Sequence, residues 1–226
     1  MPGLREQKKL QTREMIARAA AELFARDGFE SVTVDDVARA VNVSRQTVFN
    51  YFPSKEQMLF DRDAEVEAAL LAATRDRPDG VSLVDAFRGH TRAYWNRLDA
   101  VLRKRPLPPG FWEIVEPSRA LRDFLEATFA RQAGSVARQL AAERNRPEDD
   151  PLCHAIARAL CGVNAAILTC GLHRLTRGDD PHATVRDMID QAEQAYDLLE
   201  HGLKTHTGHD DPRPRQPSPA PTRSRA

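Results

Sequence analysis

Cysteine is scarce in this chain: three among 226 residues. An odd, small number argues against a disulfide framework and for a reducing setting, so a cytoplasmic protein is expected. A charge of one sign is lacking too. The chain has 33 basic and 33 acidic side chains, so its overall balance lends nucleic-acid binding no independent support. No apolar run reaches the roughly 18 residues of a membrane helix, so no span is expected. The opening MPGLREQKKLQTREM lacks the apolar segment of a secretory signal. A glycine-rich phosphate loop, a G-x-S-x-G elbow and an H-E-x-x-H pair are all missing, which removes the common sequence grounds for an enzyme. Period-two alternation does not persist, and no hairpin dipeptide joins two such runs, so strands are not expected.

What the chain has is helical periodicity. Over residues 8–27, Ile16, Ala19, Ala20, Leu23 and Phe24 fall at i, i+3, i+4, i+7 and i+8, the stripe of an amphipathic helix, and Gly28 suits its C′ position. Thr33 and Asp36 have the spacing of a capping box for a second helix carrying Val37 and Val41. Asn42 tolerates the left-handed backbone of a tight turn, and Ser44 can cap a third helix. Pro53 ends that helix, and Ser54 with Gln57 predicts a capping box for a fourth, continuous to about residue 75. Two short helices separated by a tight turn, with an earlier helix across them, have helix-turn-helix spacing.

The third helix carries the chemistry. At about 100° per residue, Arg45, Gln46, Phe49 and Asn50 share one arc while Val48 faces the opposite side. Arginine can pair bidentately with guanine, and asparagine or glutamine with adenine. Ser44, Thr33, Thr47, Tyr51 and Lys55 flank that arc, where phosphate contacts would set register. The amino end of the helix beginning at Ser54 offers further N–H groups to a phosphate.

The ordered stretch AAAELFARDGFESVTVDDVARAVNVSRQTVFNYFPSKEQML resembles the amino-terminal domain of the TetR family of transcriptional regulators, over about residues 10–59. Beyond residue 60 the resemblance is one of architecture alone. It implies that the third helix enters the major groove of a double-stranded DNA operator, while the body dimerises and binds a small-molecule effector. Three positions depart from the family's habit: Asn42 replaces a usual glycine, Phe49 a common tyrosine and Tyr51 a frequent histidine. Phe49 therefore lacks a hydroxyl for a phosphate.

The rest reads as helix throughout, giving an all-α chain. A helix-turn-helix DNA-binding domain is expected at 1–54, a helical ligand-binding and dimerisation domain at 55–204, and a disordered Pro-, Arg- and Ser-rich tail at 205–226. Helices at about 151–177 and 181–204 are the candidate homodimer face; Ala155, Ala159, Gly162 and Ala166 form a small-residue ridge on the first. An effector cavity is expected from Phe87, His90, Tyr94, Trp95, Phe111, Trp112, Phe124, Phe129, Asn164 and His173, each of which has ordinary core packing as its alternative. Cys153, Cys161 and Cys170 fall on different sides of one helix and cannot converge on a metal. Neither metal nor cofactor is expected. The function expected is a dimeric repressor released by its effector. The alternatives are a redox- or ligand-sensing activator of the same fold and a helical adaptor that leaves its head unused.

Overall fold

The computed structural model describes residues 3–60, 62–104, 108, 111–115 and 117–208. Among these residues the secondary structure is entirely helical, as the periodicity implied. The helices are α1 (Leu4–Asp27), α2 (Val34–Ala40), α3 (Arg45–Tyr51), α4 (Glu56–Leu59), α5 (Asp63–Arg75), α6 (Leu83–Lys104), α7 (Arg119–Glu143), α8 (Pro151–Thr176) and α9 (Pro181–Gly208), with a 3-10 turn at Trp112–Ile114.

Local chemistry sets most of the boundaries. Gly28 ends α1 at φ 84°, its N–H donating to the Phe24 carbonyl at 2.9 Å. Thr33 and Asp36 close the capping box at the start of α2 in both directions. After α2, Asn42 takes φ 53°, and the N–H of Val43 donates to the Ala38 carbonyl at 3.0 Å. This is the six-to-one bond of a Schellman ending, with asparagine in the left-handed position glycine commonly takes. The Ser44 Oγ accepts from the Thr47 N–H at 3.0 Å and starts α3. At α8, Asp150 accepts from the Cys153 N–H at 2.9 Å, with Pro151 as the first helical residue. That bond, reinforced by Arg146, holds the Asp150 carboxyl down at about 2.

One expected element is broken. The helix predicted from 54 to 75 is two pieces, α4 and α5, because Phe60 leaves helical geometry at φ −106°, ψ 53°. No glycine or proline announces this. The Phe60 ring instead stacks on Phe124 of α7, centroids 5.7 Å apart and planes within 7°, a tertiary contact that outweighs local helix preference. The Ser54–Gln57 capping box is also incomplete: the Gln57 N–H reaches Ser54 Oγ at 3.4 Å, but α4 begins after Lys55 without a side-chain cap.

Two cores organise the packing. In the body, Phe87 and Trp95 of α6, Val136 of α7, Leu160 of α8 and Met188 and Tyr196 of α9 are buried together. In the head, Ile16, Phe24, Val37, Val48 and Phe52 are buried together. The head's core does not close on itself: Phe111, Ile114, Val115 and Leu121 complete it from the far side. Covering the head's apolar floor in this way ties it to the body, and the Ser118 hydroxyl donating to Glu30 at 2.7 Å adds a polar link at the same junction.

Two further differences concern the carboxyl half. α9 runs to Gly208, past the boundary expected at 204; residues 209–226 of the expected disordered tail lie outside the described residues. α8 is long and apolar enough by composition to cross a membrane, contrary to the expectation that no run would be. Arg158 alone is charged between Pro151 and Arg174. The helix packs against α7 and α9, yet only 33% of its most apolar window is buried in the subunit.

Candidate nucleic-acid interface and body cavity

α3 is a rigid rod held by its inner side. Val48 and Phe52 are completely buried, whereas Ser44, Arg45, Gln46 and Asn50 are exposed and Thr47 and Phe49 half-exposed. The outer side chains are already ordered. Gln46 Nε2 donates to Asn50 Oδ1 at 3.1 Å, one turn along the helix. Arg45 donates to Asp35 of α2 at 3.2 Å and lies over the Phe49 ring, 5.4 Å from its centroid. With 60% of the Arg45 side chain accessible, that ion pair is worth at most about 1 kcal/mol and is exchangeable for another partner.

The flanking residues divide into two kinds. Thr33 and Thr47 remain at the surface, with their hydroxyls engaged by Asp36 and Ser44 respectively. Tyr51 is half-exposed, and its carbonyl accepts from the Arg13 guanidinium at 2.6 Å; the same guanidinium covers the Phe52 ring at 4.2 Å. Lys55 differs from its expected role. Its Nζ donates to the carbonyls of Phe29 at 2.7 Å and Val32 at 3.2 Å and sits 4.1 Å above the Phe29 ring. Those contacts make Lys55 an internal tie between the α1–α2 loop and the start of α4. The expected phosphate site at the amino end beside Ser54 is not built, since α4 is a single four-residue turn.

Replacing Lys55 with methionine should therefore lower the head's stability by about 1–3 kcal/mol, the cost of leaving partly buried carbonyls unpartnered. Denaturant unfolding followed by amide signals of α1 and α2 checks this. A loss of DNA affinity with a smaller salt slope and unchanged stability would restore the phosphate role.

The body holds a cavity of about 320 Å³ between α4–α5, α6, α7 and α8. Of the aromatics and polar residues expected there, His90, Tyr94, Trp95, Phe124, Phe129 and Asn164 line it. Four do not. Phe87 is fully buried in the body's packed core. Phe111 and Trp112 turn towards the head's core instead. His173 is exposed on α8. For Phe87 and His173 the cause is helical phase, since a side chain on the right helix still points away from the cavity if it lies on the wrong side; Phe111 and Trp112 sit at the 3-10 turn beneath the head.

Asn164 sits in a closed polar knot, its Oδ1 accepting from Thr91 at 2.7 Å and Tyr196 at 2.9 Å. Burial keeps the Tyr196 phenol protonated, pushed above its ordinary value. His90 is driven the other way, to about 4, by burial first and then by the Arg97 charge, so its ring is neutral near pH 7. Sequence reasoning missed Thr128 and Gln132, which also line the cavity. They are polar residues one turn apart in an otherwise alanine- and arginine-rich helix, a spacing that signals them only once α7's inner face is known.

Cys153 and Cys161 are buried and Cys170 is exposed. Burial pushes the Cys161 thiol up to about 12, which suppresses the reactive thiolate. Among the described residues, no group of three or more metal-ligating side chains comes together.

The family model for bacterial regulatory proteins of the tetR family matches residues 16–61. Over 97 residues the chain is 39% identical to the HTH-type transcriptional regulator TcmR of Streptomyces glaucescens, a match covering 43% of this chain and 43% of that protein. The chain thus matches less than half the length of that relative. Among solved structures, Salmonella enterica GusR is similar over 86% of this chain and 96% of its own, at 22% identity and a TM-score of 0.50. A TetR-assigned protein of Syntrophomonas wolfei is similar over 83% of this chain and 95% of its own, at 15% identity and a TM-score of 0.52. Those low identities establish a shared fold: a helix-turn-helix head on a helical body. The family match falls on α1 to α4, including the turn at Asn42 and the outward face of α3. Residues 16–61 of this chain are thus similar to the helix-turn-helix domain of the TetR family.

Proposed function

We propose that the protein is a DNA-binding transcriptional regulator: a cytoplasmic homodimer that represses from an operator and is released by a small molecule in the body cavity. The observation carrying DNA recognition is the division of α3, with Val48 and Phe52 anchored inside and Arg45, Gln46 and Asn50 presented outside. A rod held this way enters a major groove without reshaping the head, and its exposed donors and acceptors match base edges. Thr33, Ser44, Thr47 and Tyr51 stand beside that face as candidate backbone contacts, and Phe49 as an apolar one. The catalytic motifs absent from the sequence give no ground for assigning chemistry.

Dimerisation is supported by α8. Ala155, Ala159, Gly162 and Ala166 are exposed in the subunit, and a small-residue ridge on an apolar helix lets a second helix approach closely. Leu198 of α9, 74% exposed, adds to the uncovered surface. Pairing across these helices presents two heads to half-sites about 34–36 Å apart.

Release follows from linkage: an effector that binds better when the heads are misplaced lowers operator affinity by that same difference. The broken α4–α5 connection and the 3-10 turn under the head offer two routes for the body's shape to reach α3.

The test uses the DNA upstream of the protein's own gene, with binding measured across single-base operator variants. Arg45→Ala and Asn50→Ala should each weaken binding by about 1–3 kcal/mol and relax preference at one base pair. Uniform weakening on every sequence would remove the base-reading role from that residue. Binding to a protein partner that survives both changes, without any selective DNA binding, would favour a helical adaptor instead.

A further inference from the structure

The cavity wall contains polar groups that the protein itself leaves unsatisfied. The Thr128 hydroxyl is fully enclosed and has no hydrogen-bond partner. One turn on, Gln132 is 5% exposed, and among the described residues its amide has none either. Both side chains belong to α7 and line the same cavity. Leaving a buried hydroxyl unpaired costs about 1–3 kcal/mol, so the Thr128 hydroxyl, with the Gln132 amide beside it on the same cavity wall, marks a place where something polar is normally received. Asn164 and Thr91 on the opposite walls are different, because Tyr196 already satisfies them.

The charges around the cavity are paired in the same selective way. Four charged residues line it: Arg62, Asp63, Glu65 and Arg97. Arg62 pairs with Glu65 at 3.0 Å, and Asp63 pairs with Arg131 of α7. Arg131 is in turn held by Glu67 at 2.9 Å. Among the described residues, Arg97 has neither a carboxylate nor a hydrogen-bond partner. It shares α6 with His90, seven residues earlier and therefore on the same face, and that imidazole is neutral. The lining is neutral as a sum, two arginines against two carboxylates, but Arg97 is the guanidinium whose donors are uncommitted among the described residues.

We infer that the cavity takes a largely apolar organic monoanion, its negative group met by Arg97 and its hydrogen-bonding groups met by Thr128 and Gln132. Trp95, Phe124 and Phe129 supply apolar walls for the body of such a molecule. A volume of about 320 Å³ lies at the lower end of the roughly 300–1,000 Å³ of small-molecule sites, which suits a compact ligand such as a two-ring acid. A guanidinium discriminates by charge at little cost because it stays hydrated until the anion arrives. The enclosed Thr128 hydroxyl discriminates by shape, because it is dry and fixed. The inference rests on the reading of this cavity as the effector site and specifies what it selects.

Three probes of one shape test it by titration calorimetry on the full chain at pH 7: 2-naphthoate, the isosteric neutral 2-naphthamide, and 2-naphthylmethylammonium. The native protein should bind naphthoate about tenfold or more tighter than naphthamide, a factor worth 1.4 kcal/mol, and the ammonium weakest. Arg97→Gln should collapse the naphthoate-to-naphthamide ratio towards one. Thr128→Val, which replaces an unpartnered hydroxyl by a methyl group of the same shape, should weaken both several-fold without lowering the melting temperature. Equal binding of naphthoate and naphthamide, or a ratio that survives Arg97→Gln, overturns the inference while leaving the cavity an effector site for neutral ligands. Binding by none of the three overturns it together with the effector reading, and operator recognition measured without ligand remains a separate question.

Discussion

Changing Ala159 to arginine should yield a folded monomer whose operator affinity is at least about a hundredfold below that of the native protein. The reasoning begins inside the subunit, where Ala159 is exposed on α8 and its replacement meets no packed neighbour. Monomer stability should therefore move by no more than about 0.5 kcal/mol. In the proposed dimer the same position would lie, across a two-fold axis, in a ridge whose members are alanine or glycine, and each copy would bring one guanidinium into a close helix contact. Burying two unpaired charges against an apolar surface costs several kcal/mol each, more than a helix-pair interface readily absorbs. Operator binding falls because two linked heads gain about 10²–10⁴ in avidity over one. Light scattering after size exclusion gives the mass, and a mobility shift gives the affinity. A dimer of unchanged mass would place the interface elsewhere.

The second large effect concerns the anchor of the α3 rod. Phe52→Ala should cost about 3–5 kcal/mol, the range for deleting a buried phenyl ring. Phe52 is fully buried beneath α3, and the Arg13 guanidinium lies 4.2 Å from its ring centroid, so removal loses both packing and a cation–π contact. Domains are only about 5–15 kcal/mol more stable than their unfolded chains, so such a loss should open the head at ordinary temperature. Amide hydrogen exchange should show α1–α3 losing protection while the α6–α9 core, a separate cluster, keeps it. Selective DNA binding should vanish with the head. A change below about 1 kcal/mol would mean that Phe52 is not the rod's anchor.

The two effects depend on different scales of structure, and this explains how far the sequence could be read. The caps at Thr33, Ser44 and Asp150 and the left-handed residues Gly28 and Asn42 act within four residues of themselves, so their chemistry is visible in the bare string. The outward side of α3 is equally local, because 100° per residue settles which side chains share an arc once Val48 is known to face in. The body was harder. His90, Tyr94 and Asn164 line the cavity, whereas Phe87, just as suitable by type, lies in the packed core. Residue type says that an aromatic will be buried; only neighbouring helices decide whether it faces a void or a packed side chain.

Other features arose wholly from long-range packing. The break after α4 comes from Phe60 stacking on a ring 64 positions later in the chain, at Phe124. By its position beside α3, Lys55 suits a phosphate contact, yet two carbonyls more than twenty residues earlier engage it in this structure. Phe111 and Trp112 were assigned to the body's cavity, yet they serve the head's core.

By itself the amino-acid sequence determined the all-helical class, the tight turn between α2 and α3 and the set of side chains on the outer face of α3, since helix caps and helical phase are short-range properties. Tertiary structure alone decided where the fourth helix breaks, which aromatics border the cavity and which polar groups are left unpartnered there. Those outcomes depend on contacts between segments far apart in the chain, where the gain from burial and pairing exceeds any local preference.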